Sequence, residues 1–302
     1  MILGTASLGS VLPDALTGRR ARERVFRQLD ALVEAGCVAV DTAASYMIGG
    51  TERVLGAWMA SRGHRDALFL VGKGCHPVPV LAPRRLTARA LDDDLHASLR
   101  RLRTDRIDLY LLHRDDPGAP LEPVISALAA HQSAGKIGAW GVSNWTPARI
   151  EAAATLARHA GVAPPAASSP QFSLVEWTSP PWRGSESLSG DGGRAARAAH
   201  EQLGLPVLAW SPLGRGFFRS GAARDRHYDA PANVARRERA ESLAGRKGAT
   251  AAQIALAYLF HQPFPVFAVV AAGSARHMKQ GLEAASITLS PGEVRWLESG
   301  EE

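Results

Sequence analysis

The strongest constraint on the fold is an alternation between short β-rich runs and longer helical patterns that continues along the chain. Eight runs are predicted to be strands: residues 1–6, 37–43, 67–73, 107–113, 137–142, 167–172, 206–211 and 266–271. Several are apolar almost throughout, which is typical of parallel strands covered on both faces. Between them, the leucines of residues 91–102 recur every three or four positions and share one helical face. The alternation predicts an α/β protein.

Three helix starts carry recognisable capping signals. Thr146 stands directly before a proline, a combination typical of an N-cap followed by the first helical residue. Thr250 and Ser290 are each followed three residues later by Gln or Glu, the spacing of a capping box. We therefore expect helices to begin directly after these three residues.

Eight strands that alternate with helices fit either a barrel or an open doubly wound sheet. A dinucleotide-binding open sheet usually carries GxGxxG after its first strand, and that pattern is absent here. We therefore predict a single (β/α)8 TIM barrel domain over residues 1–302. Segments 173–193 and 213–231 follow strands six and seven, and their length is typical of lids or binding loops.

Composition narrows the class of protein. Hydrophobic residues make up 46% and charged residues 21% of the chain, as in a globular protein. The net charge is +6, but the arginines are scattered, so a solvated basic surface is favoured over nucleic-acid binding. The two cysteines, Cys37 and Cys75, form no disulfide framework or metal motif. No apolar run is long enough for a membrane span, and the first residues do not have the pattern of a signal peptide. We expect a cytoplasmic protein without a membrane or nucleic-acid partner.

Four chemically active side chains stand at or just after the ends of strands two, three and four. They are Asp41 and Tyr46 after strand two, Lys73 at the end of strand three and His113 at the end of strand four. In a (β/α)8 barrel these ends share one mouth, where chemistry is located. Each residue alone has an ordinary structural explanation, such as a turn cap for Asp41 or a core histidine for His113. Because a buried ammonium needs a partner, the set predicts a site in which Asp41 pairs with Lys73.

The four residue types fit proton donation to an oxygen that gains electrons. A tyrosine with a pKa near ~10 is a weak acid at neutral pH, and we expect the charge of Lys73 to lower the pKa of Tyr46. Asp41 would keep Lys73 charged, and His113 would orient a carbonyl by a hydrogen bond. None of the four supplies electrons, so a hydride donor is implied.

With these residues in place, the sequence resembles the aldo-keto reductase family over nearly its whole length. The matching segments, in order, are 41–46 (DTAASY), 72–73 (GK), 112–117 (LHRDDP), 135–145 (GKIGAWGVSNW), Gln171, 210–216 (WSPLGRG) and 272–274 (AGS). The resemblance implies a barrel that reduces an aldehyde or ketone with NAD(P)H. Tyr46 would be the proton donor, and Asp41, Lys73 and His113 would complete a tetrad.

The resemblance also implies where the cofactor binds. The expected cofactor-binding residues are Ser143, Asn144, Gln171, Trp210, Ser211, Pro212, Leu213, Gly214, Arg215, Gly273, Ser274, Arg276, Lys279 and Glu283. The first three would hold the nicotinamide carboxamide, Trp210 would stack beneath the ring, and 211–215 would line the pyrophosphate. Ser274, Arg276 and Lys279 would bind the 2′-phosphate, so NADPH is expected to be preferred over NADH.

The sequence departs from the family pattern in several places, some of them near these sites. Met47 follows the tyrosine where glycine is common, and Glu283 stands where an asparagine usually contacts adenine. The sequence does not identify the substrate. Trp177 and Trp182 predict a cleft with aromatic walls that would bind a small-molecule carbonyl compound. Two other functions stay open: a Schiff-base aldolase that uses Lys73, and a module that binds NADPH without turnover.

Overall fold

Eight strands follow one another in chain order around a closed barrel. In the computed structural model, the strands are β1 (Ile2–Gly4), β2 (Ala39–Asp41), β3 (Phe69–Gly74), β4 (Ile107–Leu112), β5 (Ile137–Ser143), β6 (Ser168–Ser169), β7 (Val207–Trp210) and β8 (Val266–Val270). Successive pairs from β1 to β5, and the pair β7–β8, run parallel. The predicted (β/α)8 barrel is confirmed.

Helices connect the strands. They are α1 (Arg19–Glu34), α2 (Gly50–Arg62), α3 (Ala88–Leu102), α4 (Glu122–Ser133), α5 (Pro147–His159), α6 (Arg194–Leu203), α7 (Pro231–Lys247), α8 (Ala251–Phe260), α9 (Ala275–Glu283) and α10 (Pro291–Ser299). The structure describes residues 1–6, 8, 18–78, 84–219, 225–271 and 273–301. In these ranges, no helix combines the length and apolar character that crossing a bilayer requires.

The three predicted helix starts are confirmed. Thr146 accepts a hydrogen bond from the backbone of Arg149 at the start of α5. Thr250 and Ser290 each form a complete capping box, at α8 and α10 respectively. The leucine face of α3 is buried as expected, since three of its four leucines have no exposed surface. Local sequence chemistry therefore sets these boundaries.

Every predicted strand is present, but β6 is much shorter than the predicted run 167–172. Only Ser168 and Ser169 are in the strand. The next residue, Pro170, has no N–H to give to a neighbouring strand. Beyond it, Gln171 makes isolated bridges to Ser187 and Trp210. The chain therefore leaves the regular ladder directly before a residue of the predicted site.

The chain divides into two compact units. The first comprises Ile2–Ser168 and Ala271–Ala275, and the second comprises Met1, Ser169–Val270 and Arg276–Glu302. The expectation of one domain over residues 1–302 stays a prediction.

In the first unit, strand register places the ends of β2, β3 and β4 side by side. Asp41 is paired with Val71, and Lys73 with Leu111. A Cβ on Gly74 would collide with the hydroxyl of Tyr110, so only glycine permits this approach at the end of β3. The close contact fixes the strand segment that carries Lys73.

In the second unit, two long segments follow β6 and β7, as predicted. The segment 170–193 is held by turns and bridges rather than by regular structure. A short helical turn, Gly214–Gly216, opens the segment after β7. Part of the predicted loop 213–231 lies outside the described residues. Phe172, Val175 and Tyr258 belong to the buried core of this unit.

Candidate active site

The structure brings the four predicted tetrad residues together at the ends of β2, β3 and β4. Asp41 is the last residue of β2, Lys73 lies in β3, and His113 follows β4 directly. Tyr46 begins a short helical turn after β2. Asp41, Lys73 and His113 are 3%, 4% and 8% exposed, so their polar groups act in a largely water-free environment.

Lys73 is the centre of the cluster. Its Nζ donates to Asp41 Oδ2 at 2.5 Å and to the backbone oxygen of Thr42 at 3.2 Å. It also donates to the hydroxyl of Tyr46 at 3.2 Å. An ammonium has three donors, and all three are used here. The ammonium is therefore fixed between a carboxylate and a phenol.

His113 contacts Tyr46 and a second histidine. The rings of Tyr46 and His113 meet edge to face, with centroids 5.8 Å apart. The ring of His76 lies 4.7 Å from that of His113, also edge to face. Ser45 Oγ lies 3.5 Å from His113 Nδ1. The imidazole is therefore held by neighbours on the loops after β2 and β3.

Lys73 and His113 differ in their charge at neutral pH. Burial alone would lower the pKa of Lys73, but the charges of Asp41 and Tyr46 outweigh it and raise the pKa above its ordinary value. Burial, with the nearby charge of Lys73, holds the pKa of His113 well below its usual range. At neutral pH the lysine is therefore charged, whereas the histidine is neutral.

One electrostatic expectation was wrong. Lys73 does act to lower the pKa of Tyr46, but burial raises that pKa by more, and Asp41 adds to the rise. The net direction is upward because the phenolate would lose its water in this site. Tyr46 therefore keeps its proton throughout the neutral range.

Backbone strain accumulates where strands end. Met47 and Ile48, which follow Tyr46, have φ of 48° and 52°. Asn144 after β5 and Ser211 after β7 are also left-handed, at 59° and 52°. Such conformations are costly for residues with a Cβ and concentrate at functional sites. The left-handed φ of Met47 is one that glycine adopts without steric cost.

The predicted carboxamide residues are buried. Ser143 and Asn144 are 2% and 5% exposed, and Asn144 Nδ2 donates to Ser143 Oγ at 2.9 Å. Gln171, in the second unit, has no exposed surface. Its Oε1 accepts from Ser187 and Ser189 at 2.5 and 3.0 Å. Polar groups of the kind an amide ligand needs are thus present in each unit.

Trp210 belongs to an aromatic cluster in the second unit. Its ring lies 5.9 Å from that of Trp177 and 5.8 Å from that of Trp182, both tilted. Trp182 is 51% exposed. The guanidinium of Arg215 lies 5.8 Å above the Trp182 ring. Part of this aromatic cluster is therefore exposed at the surface, next to a cation.

The predicted pyrophosphate segment forms a sharp turn. Ser211, Gly214, Arg215 and Gly216 have φ of 52°, 54°, 56° and 93°. Turns that mix left-handed and right-handed residues form concave sites for anions. The side chain of Arg215 forms an ion pair with Asp225 at 3.0 Å. The cation of this segment is therefore already paired within its own loop. Pro212 and Leu213 lie within the same turn.

The predicted adenosine segment opens a helix. Gly273 and Ser274 precede α9, whose first turns contain Arg276 and Lys279 and whose last residue is Glu283. Arg276, Lys279 and Glu283 are all exposed. The two cations lie three residues apart, so they share one face of the helix.

Two polar residues of the tetrad region had no role assigned from sequence. His76 follows β3 by two residues, and Arg114 follows His113. Arg114 is half-buried, and its charge acts on Tyr46, His76 and His113. Both would have been found by reading two residues beyond the end of each predicted strand. In the described parts of the chain, no cluster of His, Cys, Asp or Glu is arranged to hold a metal.

Comparison with known proteins gives consistent matches. The model of the Aldo/keto reductase family matches residues 1–302. Norsolorinic acid reductase A of Aspergillus parasiticus is 30% identical, over 100% of this chain and 77% of that protein. A putative aryl-alcohol dehydrogenase of Saccharomyces cerevisiae is 29% identical, over 99% of this chain and 82% of that protein. An aldo/keto reductase of Klebsiella pneumoniae, solved with NADP and acetate, superposes with a TM-score of 0.73 at 28% identity, over 99% of this chain and 90% of that one.

Proposed function

The chain belongs to the aldo/keto reductase family, and we propose that it reduces an aldehyde or ketone to an alcohol by hydride transfer from NADPH, with Tyr46 as the proton donor. One observation carries the assignment of roles. The ammonium of Lys73 is shared between Asp41 and Tyr46, at 2.5 and 3.2 Å. The ammonium can therefore stabilise a phenolate on Tyr46 while it stays paired with Asp41.

The residues fit a dinucleotide phosphate. Ser143 and Asn144 bring buried polar groups to the end of β5. The turn 211–216 has the backbone form of an anion site. Arg276 and Lys279 provide exposed cations at the start of a helix, whose N-terminus favours anions. Together these support NADPH as the cofactor, and NADPH supplies the hydride that the tetrad lacks.

The chain's own contribution to the reaction is proton transfer and charge stabilisation. As negative charge develops on the carbonyl oxygen, the hydroxyl of Tyr46 gives it a proton. The phenolate that remains is stabilised by Lys73, whose charge is in turn held by Asp41. His113, being neutral, can orient the carbonyl oxygen by a hydrogen bond without itself losing a proton. A positioned general acid typically contributes ~10²–10⁴ in rate.

The state of Lys73 disfavours the aldolase alternative. Schiff-base formation needs a neutral amine, which enzymes obtain by lowering the lysine pKa. Here the pKa of Lys73 is raised, chiefly because Asp41 and Tyr46 outweigh burial. We expect no mass increase on Lys73 when the protein is treated with carbonyl compounds and sodium borohydride.

We extend the proposal to aryl carbonyl compounds as the substrate class. One relative is named for aryl alcohols, and Trp182 offers a half-exposed aromatic face. Aromatic pairs add about 0.5–1.5 kcal/mol beyond their buried area. Benzaldehyde should therefore be reduced with a kcat/KM several-fold above that of cyclohexanecarbaldehyde, a matched saturated aldehyde.

The test is NADPH consumption measured over a panel of aldehydes and ketones, with cofactor binding followed by tryptophan fluorescence. Trp182→Leu should remove the preference for the aryl aldehyde, whereas Trp296→Leu, a matched tryptophan change in α10, should retain it. Tight NADPH binding with no turnover of any compound on the panel would indicate a cofactor-binding module and not a reductase. Retention of the aryl preference in Trp182→Leu, or its loss in both variants, would overturn the role of Trp182. A parent without an aryl preference would overturn the substrate class.

A further inference from the structure

The short turn that carries Tyr46 is held in an unfavourable conformation. Met47, Ile48 and Gly49, the three residues after the tyrosine, all have a left-handed backbone, with φ of 48°, 52° and 76°. Residues with a Cβ adopt this conformation at a steric cost, so it persists only where the surrounding structure enforces it. The position of the Tyr46 side chain therefore depends on the groups that contact this turn.

The hydrogen bonds within the turn are local. The backbone N–H of Tyr46 donates to the oxygen of Ala43 at 3.1 Å, and that of Ile48 donates to the oxygen of Ser45 at 3.2 Å. Arg53 Nη1 donates to the oxygen of Ile48 at 3.4 Å, on the exposed side. These bonds join residues that are close in sequence, and they do not fix the turn against the neighbouring helix α3.

A side chain of α3 contacts the turn directly. Arg101, in the last turn of α3, lies against Gly49. A Cβ on Gly49 would lie 2.7, 2.8 and 2.9 Å from the Nε, Cδ and Cζ atoms of Arg101, so only glycine permits this approach. A Cβ on Gly56, in α2, would collide with the backbone oxygen of Arg101. Two glycines thus bring α3 into close contact with the turn and with α2.

Glu52 fixes the guanidinium of Arg101 in this place. Glu52 lies in the first turn of α2, and its side chain has no exposed surface. Its Oε2 accepts from Arg101 Nε at 2.6 Å, and the same nitrogen lies against Gly49. A buried carboxylate needs such a partner. The ion pair therefore holds Arg101 against the turn.

The other end of the turn carries the proposed proton donor. The hydroxyl of Tyr46 lies 3.2 Å from Lys73 Nζ, and in the proposed reaction it must also come within hydrogen-bond distance of the carbonyl oxygen. A misplacement of about 1 Å can lower a reaction rate about 10²-fold. A shift of the turn would therefore slow proton transfer.

We propose that Glu52 and Arg101 are positioning residues for the proton donor: their ion pair holds the turn Tyr46–Gly49 in its left-handed form and thereby sets the position of the Tyr46 hydroxyl. The proposal rests on the proposed function, because it requires Tyr46 to donate the proton. It predicts that loss of the ion pair slows reduction only through the hydroxyl of Tyr46.

A double-mutant cycle tests this prediction. The variant Glu52→Gln/Arg101→Met removes both charges and so leaves no buried charge unpaired. It is made in the parent and in Tyr46→Phe, and the single-turnover rate of reduction is measured with NADPH-saturated enzyme. The matched control is Arg65→Met/Asp108→Asn, which removes another partly buried ion pair, with a distance of 3.0 Å, at the start of β4 and away from the tetrad. Urea unfolding and NADPH affinity of each variant report any general structural loss.

We expect Glu52→Gln/Arg101→Met to lower the reduction rate about 10- to 100-fold in the parent, but less than about twofold in Tyr46→Phe. The affinity for NADPH should stay within about twofold in both backgrounds. The control should keep the parent's rate, even where it unfolds at a lower urea concentration. Should the double variant fail to fold, Arg101→Lys, which keeps a charge for Glu52 but lacks the guanidinium beside Gly49, carries the same cycle, with a loss again confined to the parent.

An equal fold-loss in the parent and in Tyr46→Phe would overturn the proposal, because the ion pair would then act on the fold and not on the proton donor. A parent-like rate in Glu52→Gln/Arg101→Met would overturn it as well, as would an equal loss of rate in the control. Failure of the proposed function looks different: the parent itself would reduce no compound of the panel, or Tyr46→Phe would reduce as fast as the parent, and the proposal would fall with it.

Discussion

The tetrad at the ends of β2–β4 and the basic segment 274–283 have opposite physical characters, although both are assigned to one reaction. Asp41 and Lys73 are each only 4% exposed in their side chains and joined at 2.5 Å. Arg276 and Lys279 are exposed on the first turns of α9. The first region is built by folding, whereas the second is a charged surface available to a ligand.

The difference indicates how binding and chemistry are divided within the chain. Desolvated charges in the tetrad are strongly coupled, so a change there should affect both stability and rate. Exposed cations are screened by water and salt, so a change there should affect cofactor choice and little else. The predictions below test this division, from the largest expected effect to the smallest.

The first prediction is that Asp41→Asn lowers the free energy of unfolding by about 3–5 kcal/mol, because it leaves the ammonium of Lys73 buried without its counter-charge. Urea unfolding measures the change. The double variant Arg276→Ala/Lys279→Ala should change the same quantity by less than about 1 kcal/mol. Equal effects of the two variants on unfolding would remove the distinction between the regions.

The second prediction concerns cofactor choice. The parent should bind NADPH at least about tenfold more tightly than NADH, because the 2′-phosphate can pair with Arg276 and Lys279. Arg276→Ala/Lys279→Ala should lose most of this difference while binding NADH as before. Arg89→Ala/Arg100→Ala, which removes the same charge from exposed positions of α3, should keep it. Equal weakening of both cofactors would contradict the phosphate assignment.

The third prediction is a salt dependence that separates the regions. Raising the ionic strength from ~0.01 to ~0.15 M shortens the Debye length from ~30 to ~8 Å. We expect the ratio of the affinities for NADPH and NADH to decrease, because the cations that select NADPH are exposed. The single-turnover rate of the enzyme saturated with NADPH should stay constant over the same range. A salt-insensitive preference would mean that buried groups select the phosphate.

The smallest expected effect is on the pH dependence of reduction. Burial raises the pKa of Tyr46, so the proton donor keeps its proton until the pH rises above the ordinary tyrosine range. Burial, with Lys73, lowers the pKa of His113, so the imidazole stays neutral until the pH falls well below its usual range. The hydride-transfer rate should therefore vary by less than about twofold between about pH 6.5 and 9. A decline through that window on the alkaline side would show that the pKa of Tyr46 is lowered.

Sequence patterns predicted the tetrad because its placement depends on local rules. Parallel strands bring their carboxyl ends to one edge, and the residue at each end is readable from the apolar run before it. Asn144 and Trp210 were assigned from the family resemblance instead, although they also lie at or directly after strand ends. The net direction of the Tyr46 pKa could not be predicted this way, because it depends on how much water the folded chain excludes.

The contacts made by the long segments after β6 and β7 could not be predicted from the sequence either. Ser187 and Ser189 lie 16 and 18 residues beyond Gln171, in a stretch with no hydrophobic period to indicate its path. The pairing of Arg215 with Asp225 is of the same kind. Loop contacts follow from tertiary geometry rather than from local propensity, so only the structure could reveal which serines hydrogen-bond to the amide.

The central claim is that Tyr46 donates the proton in a preformed site, and Tyr46→Phe tests it most directly. The variant removes one hydroxyl, so the fold and the affinity for NADPH should stay within about twofold of the parent. The rate of carbonyl reduction by the NADPH-saturated enzyme should fall by ~10²–10⁴. A variant that binds NADPH normally and retains most of its reduction rate would contradict the account.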